Sequence, residues 1–130
     1  MTIDKDVEVE TFLGEIKQRF PEVANRIELN NNRMGYEPDD KMYTAEMETF
    51  SQTTTDAIKA GDHDRALNYL KYMSEKLLVA SVIEREYIDV YYVESLLWDI
   101  KDKKIKQAGW LLIPSNLKQL YIEMWGNPSF

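Results

Sequence analysis

Apolar residues recur along most of this chain at the spacing of one helix face, and turn-forming residues cut that pattern into segments. Val9, Phe12, Leu13, Ile16 and Phe20 fall three or four residues apart, which predicts a helix over about Asp6–Phe20 with a narrow buried stripe. Pro21 ends it, or restarts the chain as a short second helix from Glu22 to about Leu29. Periodicity then lapses in "NNNRMGYEPDD", where three asparagines, Gly35 and Pro38 predict a loop over residues 30–38. Asp39 or Asp40 is the expected N-cap of the next helix, which runs to about Ala60 and stops at Gly61. "GDHD" reads as a tight turn that caps a further helix, about Asp64–Ala80. Ala66, Leu67, Tyr69, Leu70, Met73, Leu77 and Leu78 are expected on its inner face, and Asn68, Lys71 and Glu75 on its outer one.

Residues 82–100 are apolar at most positions and hold no turn former, so length favours one helix over a strand despite the Val, Ile and Tyr content. On a regular wheel Val82, Ile83, Tyr87, Val90, Tyr91, Val93, Leu97 and Trp98 fill one half, with Ile88, Tyr92 and Leu96 opposite. A helix apolar on most of its circumference is expected at the centre of a bundle. "KDKKIKQAG" continues as helix or loop. Pro114 and Ser115 open a last helix, with Leu117, Leu120, Tyr121, Met124 and Trp125 on one face and Gly126 closing it. The expected fold is all-α, a single-domain irregular antiparallel bundle of five to six helices spanning residues 1–130.

Composition narrows the function classes. At 130 residues and 44% hydrophobic the chain can build its own core, and with no cysteine it has no disulfide, thiolate metal site or cysteine nucleophile. The acidic start "MTIDKDVEVE" has no apolar core of a secretory signal and no apolar run is long enough to span a membrane, so a cytoplasmic location is expected. A net charge of −7 argues against nucleic acid as a partner. The charge is uneven: residues 1–60 carry 13 acids and 7 bases, residues 61–130 carry 10 and 9.

No sequence motif for a cofactor, phosphate or metal stands out, so none is expected. His63 sits between Asp62 and Asp64, but adjacent turn residues do not converge on one ion, and it reads as a helix-start residue. Asp39, Asp40, Glu46 and Glu48 form the densest acidic stretch. Capping explains the first two, and together the four are the candidate surface for a basic partner. Glu94, in "YYVESLLW", lies inside the apolar arc of the wheel. It is the candidate buried structural carboxylate, in need of an Arg, Lys, Tyr hydroxyl, indole or helix N-terminus.

"AGDHDRALNYLKYM" looks like the turn of a tetratricopeptide helix pair, with Gly61, Ala66, Leu67 and Leu70 at that spacing; no 34-residue repeat recurs, so only a helical hairpin is implied. From Asp39 to Gly126, the blocks "AGDHDRALNYLKYMSEKL", "IDVYYVESLLWDI" and "LIPSNLKQLYIEMWG" are similar to small acidic all-helical bacterial proteins of unknown function, some of which look like immunity proteins encoded beside toxins. The resemblance implies action by binding another protein and brings no catalytic residues. The expected function is therefore an immunity-type inhibitor that covers the basic surface of a toxin. The alternatives are a helical adaptor or homodimer and, third, a carboxylate-dependent enzyme using Glu94.

Overall fold

The structure, a computed structural model, describes residues 5–37 and 39–130. Residues 1–4 of the acidic start and Pro38, read above as a turn former, lie outside the described residues. The protein is all-helical, with seven α-helices among the described residues rather than five or six: α1 (Lys5–Arg19), α2 (Pro21–Arg33), α3 (Tyr43–Lys59), α4 (His63–Leu78), α5 (Val82–Glu86), α6 (Lys103–Leu112) and α7 (Ser115–Trp125). A π-helical segment, Tyr87–Val93, follows α5 directly.

Local chemistry accounts for the breaks. Pro21 is the first residue of α2, where its missing N–H is no loss. At the end of α3, Gly61 takes φ 75°, and its amide and that of Asp62 reach back to the carbonyls of Ile58 (3.0 Å) and Ala57 (2.9 Å). This is a Schellman closure, which needs the left-handed conformation glycine adopts without strain. Asp62 then caps α4, its carboxylate accepting from the Arg65 amide at 3.3 Å. One three-residue link, Ala60 to Asp62, thus both ends α3 and starts α4.

Helix α3, and not the 82–100 segment, is the central element: it packs against α1, α2, α4, α6 and the π segment. Phe50 of α3 is the aromatic hub. Its ring lies 5.0 Å from Tyr92 and 5.4 Å from Tyr69, and Tyr69 meets Phe20 edge-on at 4.8 Å. Aromatic pairs at these separations add to the stability that burial provides.

The expected central helix over residues 82–100 is not continuous. It begins as α5, capped by the reciprocal Ser81–Glu84 box, widens into the π segment, and after Val93 breaks into turns in which Leu97 has φ 68°. A π-helix closes i→i+5 bonds, seen here as Glu94 N–H to the Asp89 carbonyl at 3.2 Å, and so takes about one extra residue per turn. The phase of the wheel shifts accordingly. Ile88, Tyr92, Val93, Leu96, Leu97 and Ile100 are buried, whereas Val82 and Trp98, expected inside, are 89% and 73% exposed.

Candidate functional site

The break after Val93 frees backbone carbonyls, and side chains from α3 and α7 satisfy them. The Ser51 hydroxyl donates to the Tyr92 carbonyl at 2.6 Å, and Ser95 donates to the Ser51 oxygen at 3.0 Å. The Trp125 indole N–H donates to the Glu94 carbonyl at 3.2 Å. The Tyr92 phenol, wholly buried, pairs with Thr54 at 2.8 Å; burial pushes its pKa up, well above the usual phenol range. Ser51, Thr53, Thr54 and Thr55 are buried on α3, where the three threonines return their hydroxyls to carbonyls four residues back. Nothing polar in this run is left unpaired, so a helix with such a polar face can sit at the centre of the bundle.

The turns that follow project Trp98 outward and shape a groove. A cleft of about 640 Å³ runs between α2 and α3, with Arg33, Tyr36, Glu48 and Gln52 among its walls. A smaller cavity of about 290 Å³ is lined by Glu48, Val90, Tyr91, Glu94, Ser95, Trp98 and Trp125. The two share Glu48, Ser95 and Trp98 and form one surface depression. Trp98 and Trp125 are 73% and 52% exposed there.

The acidic residues sort differently from the sequence expectation. Glu94 is half-buried, and no base or side-chain donor meets it among the described residues; it is not the buried structural carboxylate. The wheel failed because the π turn rotates Glu94 off the core side to the lip of the cavity. That structural role falls to Glu46, which is buried on α3, bridged by Lys17 at 2.8 Å and by the Asn31 amide at 3.1 Å. Glu46 is therefore engaged internally and is not part of an exposed patch. Asp40 does not cap α3, whose N-cap is Met42; its carboxylate accepts from the Glu37 amide at 2.8 Å and closes a turn within the loop. Asp39 is exposed and lines neither cleft of the groove. Of the four, only Glu48 faces the groove, where it joins Glu94.

His63 is the exposed first residue of α4. Among the described residues no group of three or more His, Asp or Glu side chains is placed to hold a metal, and no helix is long and apolar enough to cross a membrane. Trp98 and Trp125, the groove's aromatic walls, were assigned to apolar faces by spacing. No local signal separates them: Trp98 faces outward because the chain has left the helix after Val93, and Trp125 is the last residue of α7.

Residues 13–126 match the model of the family described as a domain of unknown function, DUF7674, and the chain belongs to that family. No curated protein and no solved structure matches it.

Proposed function

We propose that this DUF7674 protein acts by binding another protein, and that the groove walled by Trp98 and Trp125 is where it does so. One observation carries the reading: two large aromatic side chains stand exposed beside two carboxylates, Glu48 and Glu94, and among the described residues no lysine or arginine lines their cavity. Exposed tryptophans in a concave site are the residue type on which interfaces concentrate their binding energy. Unpaired acids at its rim favour a basic partner and speed its arrival. The net charge of −7 extends that preference over the whole molecule. Together with the resemblance to immunity proteins, this supports an inhibitor that covers a basic toxin, produced and acting in the cytoplasm.

The test is co-expression with the product of the neighbouring gene, with affinity measured at low and high salt. The expected result is a tight complex weakened by salt and weakened further by Glu48→Lys combined with Glu94→Lys. A complex indifferent to both, or none, overturns the reading.

A homodimeric adaptor has its own support in Leu78, Val79 and Val82, which stand 76%, 77% and 89% exposed around the α4–α5 turn. Sedimentation of the purified protein separates the two: a dimer dispersed by Val79→Lys favours the adaptor. A carboxylate-dependent enzyme would draw on Glu48 and Glu94 together, and its mark would be turnover abolished by either Glu→Gln change.

A further inference from the structure

We propose that the 290 Å³ cavity is a cage for an organic cation, and that its occupant is an arginine side chain of the partner. This rests on the protein-binding reading and names the chemistry at its centre. The volume, about 290 Å³, falls just below the range of roughly 300–1,000 Å³ that holds drug-sized ligands, which suits one inserted side chain. Three aromatic residues, Tyr91, Trp98 and Trp125, line it with two carboxylates, Glu48 and Glu94. A cation is attracted by both kinds of wall: by the ring faces through their quadrupole and by the carboxylates through charge.

Two of the aromatic walls are held in place before any ligand arrives. The Trp125 indole is fixed by its bond to the Glu94 carbonyl at 3.2 Å, and the Tyr91 ring packs against Tyr87 at 4.9 Å. Preorganised walls lower the ordering cost of binding. Guanidinium fits better than ammonium because it is planar, stacks on indoles, is weakly hydrated and can bond two carboxylate oxygens at once.

The test titrates the intact, partner-free protein with three probes: Nα-acetyl-arginine amide, Nα-acetyl-lysine amide and the neutral isostere Nα-acetyl-citrulline amide. The readout is the indole N–H resonances of Trp98 and Trp125. Trp110, packed against Tyr121 and Phe130 elsewhere, is the internal control. Saturable shifts of Trp98 and Trp125 alone are expected with arginine amide, about tenfold weaker with citrulline amide and about tenfold weaker in the Glu94→Gln variant. Glu48→Gln, at an exposed position, provides a second variant that folds independently of any effect at Glu94. Equal binding of citrulline amide, equal binding of lysine amide, or shifts that never saturate overturn the proposal. Because no partner is present in this titration, a bound cation with no partner protein leaves the cage standing and refutes the protein-binding reading together with a partner as the source of the arginine. A partner complex insensitive to Trp98→Leu, with no cation binding, refutes only the cage.

Discussion

The hydroxyl of Ser51 lies 2.6 Å from the carbonyl oxygen of Tyr92, across the contact between the central helix and the π segment. That carbonyl belongs to the last turn before the chain unwinds, and Ser51 takes the place of the amide that a continuing helix would have supplied. Ser51→Ala leaves it buried without its side-chain donor and is expected to destabilise the fold by about 1–3 kcal/mol. The pair beside it should behave asymmetrically. In Tyr92→Phe, Thr54 keeps its bond to the Phe50 carbonyl at 3.0 Å, so the loss is that of one bond, about 1 kcal/mol. In Thr54→Val the Tyr92 phenol is left buried and unpaired, so the loss should be larger, about 1–3 kcal/mol. Urea unfolding of the three variants measures the order, and Tyr92→Phe as the most damaging of them would contradict it.

Gly109 sets how closely α6 approaches α3. A β-carbon there would lie 2.8 Å from Ile58 Cγ2 and 3.0 Å from Leu97 Cδ2, both in the core. Alanine would gain about 1 kcal/mol in helix propensity, but Cγ2 is a branch fixed at Ile58's own β-carbon and has little room to swing away. Overpacking of this kind costs typically about 1–3 kcal/mol. Gly109→Ala is therefore expected to lower the melting temperature. Ile58→Val does not remove Cγ2, whereas Ile58→Ala does, so the double variant Gly109→Ala/Ile58→Ala should show a smaller loss than the sum of the singles.

The helical class, the turn at Gly61 and Asp62, and the α1 core stripe were legible because each depends on residues a few positions apart. Val9, Phe12, Leu13 and Ile16 are all buried as their spacing implies. Residues 82–100 were not legible for the opposite reason. Their break depends on donors from Ser51 and Trp125, which are 41 and 31 positions away from the carbonyls they serve, and on Leu97 adopting a conformation that its residue type does not advertise. One local signal was present: "SVIE" has the S-x-x-E form of a capping box and marks a helix start at Ser81. The exchange of roles between Glu46 and Glu94 follows from the same source. Glu46 gains its partners Lys17 and Asn31 only through tertiary packing, and Glu94 is turned outward by the π register.

Lys76 gives the fold a defined pH dependence. It bridges Glu84 at 2.9 Å and Glu15 at 3.4 Å, with its ammonium 5.1 Å from the centre of the Phe12 ring. Burial alone would raise the Glu84 carboxyl, but the Ser81 backbone bond and Lys76 outweigh it and hold it below the ordinary 4.5. Its stabilisation is present above that unfolded value and is lost as pH falls through the lower folded one. Burial alone would lower Lys76, but Glu84 and Glu15 outweigh it and raise it above 10.5. That contribution is present below 10.5 and is lost as pH rises through the folded value. Melting temperature against pH should therefore fall more steeply at the acid end in the wild type than in Glu84→Gln. Parallel acid limbs would show that the bridge contributes nothing.

Glu46 and Glu48 stand two residues apart on one helix and should fail in different ways. Glu46 is buried with Lys17 and Asn31 on its two oxygens, Lys17 itself being partly exposed at 37%. Solvent at the lysine screens the pair, so Glu46→Ala should cost about 1 kcal/mol of stability, less than a fully buried bridge would. It should leave partner affinity unchanged once folding is corrected for. Glu48 is exposed and lines both parts of the groove, so Glu48→Lys should leave the melting temperature within about 2 °C of wild type, as surface changes do. It should weaken binding of a basic partner about tenfold or more, with most of the change in the association rate at low salt. Thermal unfolding and surface-immobilised binding kinetics on both variants provide the comparison. Loss of affinity in Glu46→Ala with none in Glu48→Lys would move the binding face away from the groove to the side where Lys17, Asn31 and Asp40 meet.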